Sequence, residues 1–205
     1  MAASGLTFRE LLATPDVTEE LELRGSFGFM AFHGGALEVT TDIIARTAAE
    51  LSGASYYGVL HPPDVAHLSS TKFNPAESPT LQRFLDHVDT VITVHGYGRH
   101  GYWTSLLFGG TNRVLAAHVA GHVQERLPAY THITDIGHIP EPLRGLHPAN
   151  PVNRPSQGGV QLELPPRVRG RTPMFWDWEG PEPCPHTRSL IDGLVAAVAS
   201  WPLRH

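Results

Sequence analysis

The stretch Ser26–Gly53, SFGFMAFHGGALEVTTDIIARTAAELSG, decides the architecture. Its first seven residues, SFGFMAF, form a short apolar and aromatic run behind the charged LELRG, which predicts a buried strand ending at His33. A Gly34-Gly35 turn follows. Thr40 and Thr41 are then N-cap candidates for a helix that places Ile43, Ile44, Ala48 and Leu51 on one face and stops at Gly53. Strand, glycine turn and helix in that order open an α/β sheet.

Working outward, Tyr56–Leu60 predicts the next strand and Thr71–Phe73 a short edge strand. Ser78-Pro79 supplies a cap and a first-turn proline for a helix over Thr80–Val88. Thr90–Val94, TVITV, is the clearest β-branched run and ends at His95-Gly96, repeating the pattern of Phe32, His33 and Gly34. A strand over Leu106–Gly110 leads to a helix capped by Thr111 that reaches about Leu127, with Leu115, Val119 and Val123 as its stripe. Gly137–Gly159 has many Pro, Gly and Asn residues and no apolar period, the mark of a long loop kept for function or left without order. Val160–Leu164 emerges from it as a strand with Val160, Leu162 and Leu164 on one side and Gln161 and Glu163 on the other. The last helix, Thr187–Trp201, carries Leu190, Ile191, Leu194, Val195 and Val198 on its core face. Before it, the Trp176-Asp177-Trp178 segment reads as a packed cover over the core rather than a substrate wall.

At 205 residues and 41% hydrophobic the chain is expected to be one domain, residues 1–205. A chain of this size buries roughly 70% of its unfolded surface, so it needs neither a disulfide framework nor a structural metal to fold. Fifteen basic against twenty acidic residues give a net charge of −5, and no window concentrates Lys and Arg, so nucleic acid is not an expected partner. Cys184, the single cysteine, cannot form an intrachain disulfide. No stretch approaches the ~20 apolar residues of a membrane span, and Met1–Glu20 lacks an unbroken apolar run, so the expectation is cytoplasmic synthesis, with release by lysis if the protein acts outside.

Thirteen histidines are the compositional anomaly. Two of them, His33 in HGGALE and His95 in VHG, sit at predicted C-terminal strand edges, where α/β sheets place their sites. With Glu38 they make the three-protein-ligand set of a hydrolytic zinc, leaving a fourth position for water. Equally open from spacing alone is that both histidines simply end strands while Glu38 is solvated in a turn. His118 and His122 lie four apart on one helix face, but with Val-Ala-Gly between them they lack a glutamate base and read as a half-exposed row beside the apolar stripe. Glu163 is a candidate general base, since a carboxylate in a core strand is costly unless paired or used; an edge-strand glutamate facing solvent is the alternative. Asn153-Arg154 precede that strand and Arg167 and Arg169 follow it, and arginine can grip a carboxylate with two parallel hydrogen bonds or steady an oxyanion.

Taken in order, FMAFHGGALEVTTDIIARTAAELSGASYYGV, VITVHGYG, GLHPANPVNR and GGVQLELPPRVR resemble the poly-γ-glutamate hydrolases of bacteriophages and related bacterial proteins, over about Phe29–Arg169. The resemblance implies a zinc carboxypeptidase-like fold, a mixed and mostly parallel sheet flanked by helices. It also implies one Zn2+ per chain on His33, Glu38 and His95, with Glu163 as the catalytic glutamate and Asn153 and Arg154 matching the family's NR element. Arg167 joins these two as a candidate for substrate binding. Val39-Thr40-Thr41-Asp42 departs from the glycine-threonine-serine that usually follows the metal glutamate. The expected activity is metal-dependent cleavage of γ-glutamyl amide bonds in a polyanionic polymer. Deacylation of small N-acyl amino acids or aminoacyl esters is the alternative, and a non-catalytic binding protein on the same fold is a third reading.

Overall fold

The computed structural model describes residues 5–171, 178–181 and 183–202. In chain order its elements are α1 (Phe8–Leu12), β1 (Thr18–Glu22), β2 (Phe27–Gly35), α2 (Thr41–Ser52), β3 (Ser55–His61), α3 (Pro79–His87), β4 (Thr90–Gly96), β5 (Ser105–Phe108), α4 (Arg113–Arg126), β6 (Thr131–Ile133), β7 (Gly159–Leu164) and α5 (Pro185–Ser200), with short 3-10 turns between some of them. The strands form one sheet in the order β1-β3-β2-β4-β7-β5-β6. β3, β2, β4 and β7 run parallel, β1 is antiparallel to β3, and β5 is antiparallel to β7 and parallel to β6. The sheet is therefore mixed and mostly parallel, as the sequence led us to expect.

Burial on both faces explains the unbroken apolar runs of the central strands. Phe27, Phe29 and Ala31 of β2 join the core under α2, α4 and α5, whereas Met30 and Phe32 join a second core with Phe8, Leu11, Leu81 and Phe84 of α1 and α3. Among the described residues no helix is long and apolar enough to cross a membrane. Trp176 and Asp177 of the expected cover lie outside the described residues.

Several local expectations are corrected. In α2 the buried face runs through Ile44, Ala45, Ala48 and Ala49, while Ile43 and Leu51 stand 38% and 61% exposed. Alanines at these positions let the helix lie close on the sheet, and the rotation aims Asp42 at the Gly35 N–H, 3.1 Å away. Thr40 occupies the cap position at φ 82° without a side-chain cap bond; its hydroxyl donates to the Arg169 carbonyl instead. Thr71–Phe73 is not a strand: Ser70–Lys72 forms a 3-10 turn, which drops the Phe73 ring between Phe8 and Phe32, at 4.7 and 4.5 Å between centroids. Asn112, not Thr111, caps α4, accepting from the Leu115 N–H. His118 and His122 are half-buried and bind α4 to α5 through the Ala197 carbonyl and the Ser200 hydroxyl.

Ser78 behaves as its sequence context predicts. Its Oγ accepts from the Leu81 N–H at 2.9 Å and donates to Glu19 of β1, so one buried hydroxyl caps α3 and ties it to the sheet edge. Replacing Ser78 by Ala should lower the unfolding free energy by about 1–2 kcal/mol in urea titration; an unchanged midpoint would show that neither bond matters to stability.

Candidate metal centre and active site

Three parallel strands deliver the site to one edge of the sheet. β4 and β7 pair with His95 opposite Glu163 and Thr93 opposite Gln161, so these four side chains share a face. β2 runs through His33 to Gly35, whose φ of +68° and close approach to the His61 carbonyl, 2.5 Å from where a Cβ would stand, require glycine. The chain then folds back until the Glu38 N–H donates to the His33 carbonyl at 2.7 Å. A five-residue spacing, too long for one helix face, thus brings the carboxylate onto the histidine.

Both carboxylate oxygens of Glu38 are in use. Oε1 lies 2.9 Å from Nδ1 of His33, and Oε2 lies 3.3 Å from Nδ1 of His95 while accepting from the Gly96 N–H at 2.8 Å. Nε2 of His33 donates to the Leu68 carbonyl at 2.8 Å, and Nε2 of His95 lies 3.5 Å from the Ser70 hydroxyl. With Nε2 committed to a backbone carbonyl, the 2.9 Å approach of Nδ1 to the carboxylate oxygen is favourable only with a proton or a metal cation between them. Imidazole nitrogens flanking a carboxylate, with the far nitrogen of one ring anchored by a backbone carbonyl, are donors of the type a small divalent metal takes; the donor atoms that lie mutually within 4.8 Å are those of His33, Glu38 and His67, with His95 on the other carboxylate oxygen.

His33, His95 and Glu163 are buried, at 1%, 3% and 3% exposure. Burial alone would raise the Glu38 pKa, but the imidazoles of His33 and His95 outweigh it and hold the carboxyl well below the ordinary range. Burial likewise opposes charge on His95, and the carboxylates of Glu38 and Glu163 reverse the balance and raise it. At Glu163 burial wins, pushing the pKa up to about 7, aided by Glu38 and opposed by His95 and by the Gln161 amide. That amide donates from Nε2 to Glu163 Oε1 at 2.8 Å and to the Leu143 carbonyl at 3.3 Å, while its oxygen accepts from Asn150 at 2.7 Å.

Two more residues contribute, of which His67 carried no sequence signal. His67, an exposed loop histidine, lies tilted against the His33 ring, 4.4 Å between centroids, and brings a ring nitrogen within 4.8 Å of the ligand atoms of His33 and Glu38. Arg169, which the sequence offered as a carboxylate or oxyanion partner, is buried behind the site, with Nη1 donating to the Val39 carbonyl at 2.8 Å and Nε to the Leu164 carbonyl at 3.3 Å. Gly96 makes room for it, since a Cβ there would stand 2.7 Å from the guanidinium carbon.

The remaining expected site residues lie further out. Asn153 spends its side chain on the protein: Oδ1 accepts from the Thr111 N–H and hydroxyl, and Nδ2 donates to the carbonyls of Gly145 and His147. Arg154 is exposed and lines a cavity of about 480 Å3 with Lys72 and Glu77. Arg167 places its guanidinium 5.5 Å from the centre of the Tyr130 ring. A second cavity, about 470 Å3, opens beside the site between Ser70, Arg144, His147, Asn150 and Gln161.

Gly96→Ala should force Arg169 or the strand end to move, at a cost of about 1–3 kcal/mol by denaturant unfolding; wild-type stability would show that the guanidinium yields freely.

Residues 8–180 match the family model for poly-gamma-glutamate hydrolase. The SPbeta prophage-derived protein YoqZ of Bacillus subtilis (strain 168) is 30% identical over 142 residues, 66% of this chain and 47% of that protein, so the match spans about half of the relative's length. A solved bacteriophage poly-gamma-glutamate hydrolase is 21% identical with a TM-score of 0.70, covering 89% of this chain and 88% of that one. The zinc-free apo structure of YNDL is 20% identical with a TM-score of 0.74, covering 95% and 96%. These two structures share the fold, and the family match runs from α1 past every strand of the sheet: the chain belongs to the poly-gamma-glutamate hydrolase family.

Proposed function

We propose that this protein is a zinc-dependent hydrolase of γ-glutamyl amide bonds, with His33, Glu38 and His95 holding the metal and Glu163 as general base. The convergence of the His33 and His95 Nδ1 atoms on the Glu38 carboxylate carries this reading. The family supports the substrate class, a polymer whose every residue bears a free carboxylate.

Bound zinc would polarise the scissile carbonyl and lower the pKa of its water toward ~7. The chain's own residues do the rest. Glu163 accepts a proton from the attacking water as the carbon–oxygen bond forms, and passes that proton to the nitrogen as the carbon–nitrogen bond breaks, leaving a carboxylate and an amine. Gln161 fixes the carboxyl by its bond to Oε1, leaving Oε2 for the water. Arg169, behind Glu38, contributes positive charge to the site and ties the Val39 and Leu164 backbones together. Arg154 and Lys72 in the outer cavity offer cations to more distant carboxylates of the polymer, and Asn153 serves them indirectly by fixing the loop between.

Purified protein should shorten poly-γ-glutamate, and a zinc chelator should abolish the shortening; no shortening by a preparation holding one zinc per chain would sink the substrate assignment and favour small acyl amino acids or esters. Glu163→Gln should lower turnover by at least ~100-fold while binding zinc as wild type does. By elemental analysis, His33→Ala should lose stoichiometric zinc and His67→Ala should keep it. The reverse result would move the third ligand from the strand to the loop.

A further inference from the structure

Arg144 is a half-buried cation without an anion among the described residues. It follows the 3-10 turn Glu141–Leu143, and its backbone is pinned because its carbonyl accepts from the Gly110 N–H at 2.8 Å. Its Nε donates to the Ile139 carbonyl at 2.9 Å, which orients the guanidinium plane. Among the described residues no carboxylate lies within ion-pair distance of it, although Glu141 stands exposed at the rim of the same cavity. An arginine partly withdrawn from water loses hydration without compensation until a carboxylate arrives, and its planar fork is built to take one with two parallel hydrogen bonds.

The cavity it lines is one side chain removed from the reacting centre on two sides. Gln161, in one wall, holds both Glu163 and the carbonyl of Leu143, the residue before Arg144. Gly145, the residue after, packs so tightly on Gln161 that a Cβ would stand 2.6 Å from its Oε1. Ser70, which also lines the cavity, lies beside His95. The Asn153 amide holds the Gly145 carbonyl from the other side. A cation is thereby fixed at a set offset from Glu163, facing space large enough for an amino-acid residue.

We propose that Arg144 is the specificity-determining residue of this site, binding the α-carboxylate of a glutamate adjoining the scissile amide. This rests on the γ-glutamyl hydrolase reading and refines it: the enzyme would require a free carboxylate on a residue flanking the cleaved bond, not merely an amide of the right shape. Arg154 and Lys72 would then serve carboxylates further along the chain.

The test uses the zinc-loaded full chain and γ-linked glutamate oligomers in which the α-carboxylate flanking the cleaved bond is replaced by a carboxamide, on the acyl side in one series and on the amine side in another. Wild type should favour the carboxylate over the carboxamide by about 10- to 100-fold in kcat/KM in one of the two series. Arg144→Ala should erase that preference by slowing the carboxylate substrate and sparing the carboxamide, and Arg144→Lys should restore part of it. Equal losses on both substrates, or a wild type that discriminates in neither series, would overturn the assignment while leaving the hydrolase reading intact. A wild type that cleaves none of the oligomers would overturn the proposed function itself, and the role of Arg144 with it.

Discussion

The shared carboxylate of Glu38 is the constraint around which the site end of the sheet is organised. It draws His33 from β2, His95 from β4 and the Gly96 N–H onto one group, and its position in turn fixes the loop that supplies it. Thr41 donates to the Glu38 carbonyl, Asp42 holds the Gly35 N–H, and Thr40 and Arg169 close the loop against the turn after β7. The start of α2 therefore gives up an ordinary side-chain cap while its threonines and Asp42 hold the loop that carries Glu38. A bare anion buried between two imidazoles is stable only because both rings, and whatever cation they share with it, compensate its lost hydration.

The proposed polyanionic substrate sits awkwardly with an acidic protein until the placement of charge is considered. Steering and binding depend on the local field rather than the net charge of −5. The two cavities along the site edge contain Arg144, Lys72 and Arg154, and Lys72 is the only lysine in the chain. The acids nearby are partly engaged: Glu77, in the cavity with Lys72 and Arg154, accepts from the Arg9 N–H, and Glu19 and Glu20 of the edge strand β1 face the Tyr57 and Tyr56 hydroxyls, Glu20 also pairing with Arg46. What a summed charge conceals is this placement, which needs only a handful of residues.

The sequence disclosed those features that local chemistry dictates. Apolar runs with β-branched residues located β2, β3, β4 and β7, and Ser78-Pro79 located the start of α3, because in each case the signal lies within a few residues. Elements held by distant partners escaped: β1, TEELE, is a strand only because β3 offers it a ladder, and β6 is three residues against β5. The rotation of α2 was illegible for the same reason, since alanine reads as neutral until a sheet packs on it. At the site, His33, Glu38, His95 and Glu163 could be picked out as strand-edge residues, but His67 and Arg144 are ordinary loop residues whose neighbours come from other parts of the chain. His118 and His122, read as a half-exposed row beside the apolar stripe, join two helices, and His61 supports the end of β2.

Glu163 shows why such a site needs both burial and a fixed polar neighbour. Burial raises its pKa to about 7, the range in which one carboxyl can take a proton and give it back within a single turnover. Burial alone would overshoot, leaving the acid protonated and useless as a base. The Gln161 amide, donating to Oε1, pulls it back toward ionisation. Gln161 in turn is held by Asn150 and by the Leu143 carbonyl, so the long loop between β6 and β7, devoid of any apolar period, is ordered through the same glutamine that tunes the base. A loop tied in this way to Glu163 couples whatever its side chains bind to the position of that carboxyl, which is the physical basis on which the proposed carboxylate site at Arg144 would act on the reaction from the neighbouring cavity.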